Sequence, residues 1–431
     1  MSPRARERAI LVGVASRATP RPLAEEHLDE LDRLLDTAGG VTVGRFIKER
    51  AAPDPATYIG RGSVAEIGQA ADERGASLVV FDDELTPAQA RNLEERWGDA
   101  LRVLDRPGLI LDVFAFHART REARTQVELA QLQYLLPRLA GGYRHLSRLG
   151  GGIGGRGAGE QKLELDRRRI RSRIGRLRRD LDRIETARAV RRRGRRRTFS
   201  VAIAGYTNAG KTTLFNRLTH ETADAADRLF STLDARIARA RSRQLADTVF
   251  IDTVGFVRKL PTSLVASFRS TLSEIREADC VLHVLDAASP RAEEERQIAL
   301  ELLRELGVVP ERAVPVWTKR DICPARPLAL HPGEFDVSGK TGAGIERLEA
   351  EIQRRAHPKT GEFCLRVPYA EGRVIAAARA TFRVVEESDA GDALLLTLTG
   401  EPREIERFRQ YVVEEPGLER NRRAARRAQG R

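Results

Sequence analysis

The stretch FSVAIAGYTNAGKTT, residues 199–213, decides the fold of the central part of the chain. It begins with a mostly apolar run typical of a buried strand and continues into the pattern G-x-x-x-x-G-K-T. Leu214, Phe215 and Leu218 then indicate a helix. Strand, glycine-containing loop and helix in this order predict a phosphate-binding loop, because backbone N–H groups and the helix N-terminus can then face a phosphate.

The residue types in this loop predict how it meets a nucleotide and a metal ion. We expect Lys211 to reach the β- and γ-phosphates and the hydroxyl of Thr212 to bind Mg²⁺. In FIDTVGF, residues 250–256, Asp252 and Gly255 follow a second apolar strand. Asp252 can hold Mg²⁺ through a water, and the N–H of Gly255 can contact the γ-phosphate.

Two later segments predict which base is bound. WTKRD (317–321) follows the strand-like AVPV, and the carboxylate of Asp321 can accept hydrogen bonds from both N1–H and the exocyclic amine of guanine. Adenine offers no such donor pair. DVSGKTGAG (336–344) follows another short strand, and its Ser338–Lys340 loop can cover the edge of the base. Since doubly wound sheets bind ligands at the carboxyl ends of their strands, these segments together predict a GTPase.

Thr232, in LFSTLDAR, lies between the phosphate loop and Asp252. We expect it to complete the Mg²⁺ coordination and to order a switch loop only when the γ-phosphate is present. The predicted catalytic residues are Lys211, Thr232 and Gly255, and the predicted Mg²⁺ ligands are Thr212, Thr232 and, through water, Asp252. The predicted nucleotide-binding residues are Gly205, Tyr206, Thr207, Asn208, Ala209, Gly210, Lys211, Thr212, Phe230, Ser231, Thr232, Leu233, Asp234, Asp252, Thr253, Val254, Gly255, Thr318, Lys319, Arg320, Asp321, Ser338, Gly339 and Lys340.

Two positions bear on catalysis. Many GTPases carry a water-orienting Gln directly after Asp-x-x-Gly, but here that residue is Phe256, so slow intrinsic hydrolysis is expected, with the missing element supplied from outside. Asn208 is the fourth residue of the loop, where similar potassium-activated GTPases hold K⁺ near the phosphates. The sequence leaves open whether Asn208 binds K⁺ or only hydrogen-bonds within the loop.

Composition favours a polyanionic partner. The 431 residues carry a formal net charge of +13, which suits nucleic acid or an anionic membrane surface. No apolar run reaches the roughly 18 residues that suggest a membrane span. Cys280, Cys323 and Cys364 are far apart, which predicts a reduced, cytoplasmic protein without disulfides or structural zinc.

The patterning predicts a multidomain α/β protein. We expect an N-terminal α/β domain, a basic helical hairpin with a glycine-rich tip, a GTPase domain with a mostly parallel doubly wound sheet, a small α+β domain and a disordered basic tail. Their predicted limits are 1–115, 116–197, 198–357, 358–418 and 419–431. The two hairpin helices are indicated by apolar residues at helical spacing, namely Leu129, Leu132, Leu136 and Leu139 in the first and Ile170, Ile174, Leu177 and Leu181 in the second.

The run GGGIGGRGAGE, residues 150–160, forms the predicted tip of the hairpin. It follows no strand and contains no Lys followed by Ser or Thr, so a nucleotide-binding role is disfavoured. A thin glycine backbone beside one fixed cation suits a narrow, RNA-lined space, and the alternative is a plain connection between helices. The candidate RNA-contacting residues are Gly151, Gly152, Gly154, Gly155 and Arg156.

Taken in order, several segments resemble the HflX family of ribosome-associated GTPases. They are DPATYIGRG, VVFDDELTPAQARNLE, DRPGLILDVFAFHARTREARTQVELAQLQYLLPRL, GGGIGGRGAGE, LELDRRRIRSRI, GYTNAGKTTLFN, FSTLD and DTVGFVRKLP. The resemblance as a whole covers about residues 20–350. The resemblance implies a cytoplasmic protein that binds the large (50S) ribosomal subunit, with ribosome-stimulated hydrolysis. It also implies a role in splitting or rescuing stalled ribosomes, or in their assembly.

Two departures from the family pattern concern base recognition. The base-reading motif usually begins with Asn, and Thr318 in its place is expected to weaken a contact with the phosphate loop. The usual Ser-Ala-Lys loop is Ser338-Gly339-Lys340 here, which keeps the backbone N–H.

Other interpretations remain open at this stage. The chain could be an RNA-binding assembly factor in which hydrolysis only resets affinity. An ATP-driven nucleic-acid enzyme is opposed by Asp321, and a peripherally membrane-bound GTPase lacks an amphipathic anchor or lipidation motif. We expect a monomer.

Overall fold

The computed structural model describes residues 6–139, 156–193, 198–222, 229–230, 235–259, 269–323, 331–357, 361–400 and 404–413. In the helix 156–193 it describes the side chains of residues 164–187. The chain divides into two compact units, Met1–Leu348 and Glu349–Arg431. Within the described ranges, none of the helices combines the length and apolarity needed to cross a membrane.

The first unit begins with a parallel sheet of four strands within residues 6–139, which we call the N-terminal sheet, in the order β2-β1-β3-β4. Its strands are β1 (Glu7–Ala15), β2 (Gly40–Glu49), β3 (Leu78–Phe81) and β4 (Arg102–Asp105), and its connecting helices are α1 (Arg21–Thr37), α2 (Arg61–Arg74) and α3 (Pro87–Trp97). β1 and β3 lie in the middle of the sheet and are almost wholly buried, which explains why they are continuously apolar.

Three helices connect this sheet to the next one. They are α4 (Arg106–His117), α5 (Arg121–Arg138) and α6 (Arg156–Arg193). Leu129 of α5 packs with Ile174 and Leu177 of α6, which confirms the predicted apolar seams. The remaining seam residues that pack against this cluster are Leu132, Leu136, Ile170 and Leu181.

The predicted glycine-rich tip is only partly within the described structure. Residues 150–155, and with them Gly151, Gly152, Gly154 and Gly155, lie outside the described residues, and Arg156 is described only as the first residue of α6. The predicted domain limit at residue 115 falls inside α4, a continuous helix along which Leu109, Val113 and Phe114 are buried. The predicted domain limits stay predictions.

A second sheet, which we call the central sheet, has six strands among the described residues, in the order β10-β9-β8-β5-β7-β6. All neighbouring pairs are parallel except β6 with β7. This confirms the predicted, mostly parallel doubly wound sheet. Its strands are β5 (Phe199–Gly205), β6 (Arg236–Arg239), β7 (Thr248–Asp252), β8 (Cys280–Asp286), β9 (Ala313–Thr318) and β10 (Phe335–Asp336), and its helices are α7 (Lys211–Leu218), α8 (Arg269–Glu277), α9 (Ala292–Glu305) and α10 (Ile345–Ala356).

The second unit contains an antiparallel sheet in the order β11-β13-β12 across its described residues. The strands are β11 (Gly361–Pro368), β12 (Arg383–Asp389) and β13 (Ala393–Gly400), and α11 (Gly372–Thr381) joins the first two. Leu365, Ala378, Leu396 and Phe408 are among the residues that form its core. This agrees with the predicted small α+β fold, whereas the predicted basic tail, 419–431, lies outside the described residues.

Candidate nucleotide-binding site

The phosphate loop runs from the end of β5 to the start of α7, as the sequence predicts. Gly205 lies so close to β8 that a Cβ there would be 2.2 Å from the carbonyl oxygen of Val284, which excludes any side chain. Tyr206, Thr207, Asn208 and Ala209 follow, and Asn208 adopts a left-handed φ of 61°, which Asn tolerates better than most residues. Because α7 begins directly after this loop, the N–H groups of its first turn, which have no partner within the helix, face the loop.

Lys211 is a buried cation at this loop. Its Nζ donates a hydrogen bond to the carbonyl oxygen of Tyr206 at 2.7 Å. Burial lowers the pKa of Lys211 to about 8, because the charged ammonium loses hydration. A phosphate bound in the loop would restore the favourable environment of that charge, since it places an anion beside a desolvated cation.

The end of β7 lies beside the phosphate loop. The hydroxyl of Thr212 donates to Oδ2 of buried Asp252 at 2.9 Å, so a hydroxyl and a carboxylate meet at the start of α7. Thr253 is held by a hydrogen bond from its hydroxyl to the carbonyl oxygen of Ile203 at 2.7 Å, and Val254 next to it is buried. Thr212 and Asp252 thus form a pair of hard oxygen ligands, which suits Mg²⁺.

Gly255 and Phe256 pack directly on the loop. A Cβ at Gly255 would lie 2.9 Å from Nζ of Lys211 and 2.7 Å from Cγ2 of Thr207, so only glycine fits. The N–H of Phe256 donates to the carbonyl oxygen of Gly205 at 3.0 Å, and the N–H of Thr207 donates to that of Phe256 at 2.7 Å. Phe256 is 1% exposed, so its ring belongs to the core and does not face a water at the phosphates.

The residues predicted to read the base gather at the ends of β9 and β10. Oγ of Ser338 donates to Oδ1 of Asp321 at 2.7 Å, which orients the carboxylate that would accept from guanine. Lys319 has a left-handed φ of 58°, and its ammonium pairs with Asp286 at 2.8 Å. Arg320 lies 3.8 Å from Asp336.

The loop of Ser338, Gly339 and Lys340 is tied to α7. Nε of Arg217 donates to the carbonyl oxygen of Gly339 at 2.9 Å, and its Nη2 donates to that of Lys340. The base-covering loop and the phosphate-binding helix are thereby joined through one side chain.

Thr318, which stands where the family pattern has Asn, contacts the phosphate loop. Its Oγ1 lies 2.6 Å from the carbonyl oxygen of Ala209 and 3.0 Å from that of Leu285. A hydroxyl has one proton, so it donates to one of these acceptors at a time or shares the proton between them. The shorter side chain keeps the link because β9 ends beside the loop.

Part of the predicted switch segment cannot be placed. Ser231, Thr232, Leu233 and Asp234 lie outside the described residues, so their predicted contacts are not seen. Phe230, just before them, is buried, and its ring meets that of Phe114 from α4 edge-on at a centroid distance of 4.7 Å. The N-terminal region therefore contacts the chain directly before the predicted switch threonine.

The structure also shows a buried charged network that the sequence did not predict. Arg106, at the start of α4, is 1% exposed and pairs with Asp82 at 2.6 Å and with Glu30 of α1 at 2.8 Å. Nε of Arg106 donates to the carbonyl oxygen of Arg258, which follows β7. Lys259 pairs with Asp82 and, at 2.5 Å, with Asp83.

Tyr206 brings this network into the phosphate loop. Its hydroxyl lies 2.9 Å from both carboxylate oxygens of Glu30 and accepts a hydrogen bond from the N–H of Arg258 at 2.9 Å. Burial and the neighbouring Glu30 carboxylate raise the pKa of Tyr206, so the phenol stays protonated and donates to Glu30. The basic pair Arg258-Lys259 directly after DTVGFV was the one local signal for this network, and two of its partners, Arg106 and Asp82, are more than 150 residues away.

Comparisons with known proteins agree with this architecture. Three family models match, described as "GTP-binding GTPase N-terminal" over residues 25–115, "GTP-binding GTPase Middle Region" over 117–195 and "50S ribosome-binding GTPase" over 200–317. The solved structure of a GTP-binding protein from Sulfolobus solfataricus in complex with GDP is 24% identical, with a TM-score of 0.43, and the match covers 81% of this chain and 98% of that one.

Two curated relatives match at higher identity. GTPase HflX of Escherichia coli strain K12 is 42% identical over 357 residues, covering 81% of this chain and 83% of the relative. GTPase HflX of Caldanaerobacter subterraneus subsp. tengcongensis is 39% identical over 414 residues, covering 95% of each. With this identity along nearly the whole length, the chain belongs to the HflX family of GTPases.

Proposed function

We propose that this GTPase acts on the large ribosomal subunit, where it splits or rescues stalled ribosomes or assists their assembly. One observation carries the nucleotide part of the proposal. The phosphate loop, the Thr212–Asp252 pair and the Asp321–Ser338 pair lie at the carboxyl ends of strands of one sheet, where doubly wound folds bind their ligands. The ribosomal part is supported by the "50S ribosome-binding GTPase" model over residues 200–317 and by the basic helix α6. We expect a cytoplasmic monomer.

Different residues of the chain would bind the phosphates, the metal ion and the base of GTP. Backbone N–H groups of residues 205–212 and the ammonium of Lys211 would hold the phosphates, and Gly255 would sense the γ-phosphate. The oxygen ligands present fit Mg²⁺, with Thr212 binding it directly and Asp252 through water, and Thr232 is the third predicted ligand. Mg²⁺, when bound, would neutralise charge on the phosphates. Asp321 would select guanine.

The chain itself offers no obvious group to orient the attacking water among its described residues. Phe256 occupies the position after Gly255, and its ring is buried. We therefore expect slow hydrolysis by the free protein, with at least about 100-fold stimulation by large ribosomal subunits, because a supplied catalytic group is typically worth several orders of magnitude. Single-turnover hydrolysis of radiolabelled GTP, with and without purified large subunits, measures both rates. Fast hydrolysis without ribosomes would overturn this expectation.

The same experiment can test whether α6 carries the ribosome contact. Arg169 and Arg183 of α6 are 79% and 81% exposed, and among the described residues each forms only a solvent-exposed pair with an acid three residues before it. The double variant R169Q/R183Q is expected to bind large subunits roughly tenfold more weakly, because two phosphate-neutralising charges are lost. Its basal hydrolysis should equal that of the parent.

The chain offers a matched control for this variant. Arg407 and Arg409 are 77% and 82% exposed and form equivalent exposed pairs with Glu404 and Glu406. R407Q/R409Q should leave subunit binding in sucrose gradients unchanged. Equal loss in both double variants would mean that total charge, not α6, determines binding. The same gradients, run with 70S ribosomes and with subunit precursors, separate splitting from assembly.

We also propose that Asn208 holds K⁺ beside the phosphates. Asn208 lies at the fourth position of the loop with its backbone in the left-handed region. A cation there would stabilise charge that develops between the phosphates, so replacing K⁺ by Na⁺ should slow hydrolysis about tenfold or more. Rates in KCl and NaCl at equal ionic strength measure this. An unchanged rate would leave Asn208 with a purely structural role.

A further inference from the structure

One face of α1 contacts the GTPase part of the chain along successive turns. Glu26 pairs with Arg291 at 3.3 Å, and Glu30, four residues later, pairs with the hydroxyl of Tyr206 in the phosphate loop at 2.9 Å. Arg33 follows Glu30 by three residues. Because residues three, four and seven apart share one face of a helix, Arg33 lies on the same face of α1 as Glu26 and Glu30, about one turn after Glu30.

Arg33 lines a cavity of about 540 Å³ that extends to the phosphate loop. The cavity is lined by residues of α1 and the start of β2, including Arg33 and Asp36, and by Asn208 and Leu229. Asn208 belongs to the phosphate loop, and Leu229 comes shortly before the predicted switch threonine. An N-terminal helix therefore shares a space with the two segments that surround the terminal phosphate in the proposed site.

Among the described residues that line this cavity, every charged side chain except that of Arg33 is paired. Asp32 pairs with Arg45, and Asp36 pairs with Arg6 at 3.2 Å. Arg33 is exposed, and within the described part of the chain its guanidinium has no ion pair or hydrogen bond. Since both neighbouring acids are satisfied by other arginines, the Arg33 guanidinium is available to an anion that enters the cavity.

We propose that Arg33 contacts the terminal phosphate of GTP across this cavity, as a cationic group supplied by the N-terminal helix to the nucleotide site. The inference rests on the proposed GTP site. A planar guanidinium can donate two parallel hydrogen bonds to phosphate oxygens, and it favours the more negatively charged triphosphate over the diphosphate. The same contact stabilises charge that develops during phosphoryl transfer. GDP, which lacks the γ-phosphate, would not engage Arg33.

The test uses the full-length chain without ribosomes. R33A is expected to lower the single-turnover rate of GTP hydrolysis about tenfold or more, because a group that stabilises developing phosphate charge is lost. It should lower affinity for a non-hydrolysable GTP analogue about tenfold, as for a lost charge-assisted hydrogen bond, and leave GDP affinity within about twofold. R33K should recover part of the analogue affinity but less of the rate, since an ammonium cannot form the bidentate contact.

R6A is the matched control, because Arg6 lines the same cavity but is already paired with Asp36. It should behave like the parent in all three measurements. The inference fails if R33A keeps the parental rate and analogue affinity, or if R6A shows the same losses. If the parent chain itself does not bind GTP, the proposed site fails instead, so the two failures are distinguishable. Equal thermal midpoints for the parent, R33A and R6A would show that the fold is intact.

Discussion

Replacing Asp321 with asparagine is expected to lower the affinity for GTP and GDP by at least about 100-fold, because a site built to pair with a polar group rejects a mismatched one strongly. The carboxylate of Asp321, held by Ser338 at 2.7 Å, can accept from N1–H and from the exocyclic amine of guanine at once. An amide of the same shape presents one acceptor and one donor. Its donor would face a donor of guanine, which leaves two polar groups unpaired.

The same substitution is expected to create affinity for xanthine nucleotides. Xanthine carries a carbonyl where guanine carries the exocyclic amine, so the side-chain amide introduced by D321N would donate to that carbonyl and accept from N1–H. Titration with fluorescent GDP and xanthosine diphosphate measures both affinities. D336N is the matched control, because Asp336 at the end of β10 pairs with Arg320 at 3.8 Å and has no proposed contact with the base. Unchanged GDP affinity in D321N would remove Asp321 from the base site.

Replacing Arg106 with methionine is expected to destabilise the first unit by about 3–5 kcal/mol, the usual cost of removing one partner from a buried ion pair. Methionine can retain much of the apolar packing of the arginine stem but leaves Glu30 and Asp82 with one cation fewer in a site that water does not reach. Burial opposes ionisation of Arg106, yet the neighbouring carboxylates of Glu30 and Asp82 raise its pKa, so the guanidinium remains charged. The wild-type network is therefore balanced, whereas the variant is not.

R45M is the comparison that separates the effect of burying an ion pair from the effect of the ion pair itself. Arg45 also pairs with two acids, Asp29 at 2.6 Å and Asp32, but its side chain is 42% exposed. Exposed pairs contribute only about 0–1 kcal/mol, so R45M should lower stability much less. Thermal and urea unfolding, followed by circular dichroism, measure the difference. Similar losses in R106M and R45M would show that the buried network adds no stability beyond that of a surface pair.

Local patterns predicted which residues meet at the proposed nucleotide site. The glycines of the phosphate loop, Lys211, Asp252 and Asp321 each stand at the end of an apolar strand, and parallel strands place those ends at one edge of the sheet. The heptad-like spacing in α5 and α6 likewise predicted their packing, because side chains on one helix face must meet an apolar partner. Both predictions rest on periodicity within a few turns or strands.

Thr318 shows what a local motif leaves undecided. From the sequence, Thr318 in place of the usual Asn is expected to weaken a contact with the phosphate loop. In the structure, the end of β9 brings the Thr318 hydroxyl within 2.6 Å of the carbonyl oxygen of Ala209. This contact depends on where the whole sheet places the backbone, which a local motif does not show.

The amino-acid sequence by itself determined the α/β fold class and the glycine-containing loop between β5 and α7, and it predicted Asp321 as the guanine-reading residue, because each depends on residues that are close along the chain or repeat with a regular period. Only the tertiary structure decided that Glu30 meets Tyr206, that Arg106 meets Arg258, and that Arg33 lines the cavity beside Asn208. These contacts join residues separated by about 150 positions or more, and charged side chains carry no periodic signal of their partners. Burial makes these pairings important for stability, because a charged group removed from water is stabilised by the few groups that the fold places beside it.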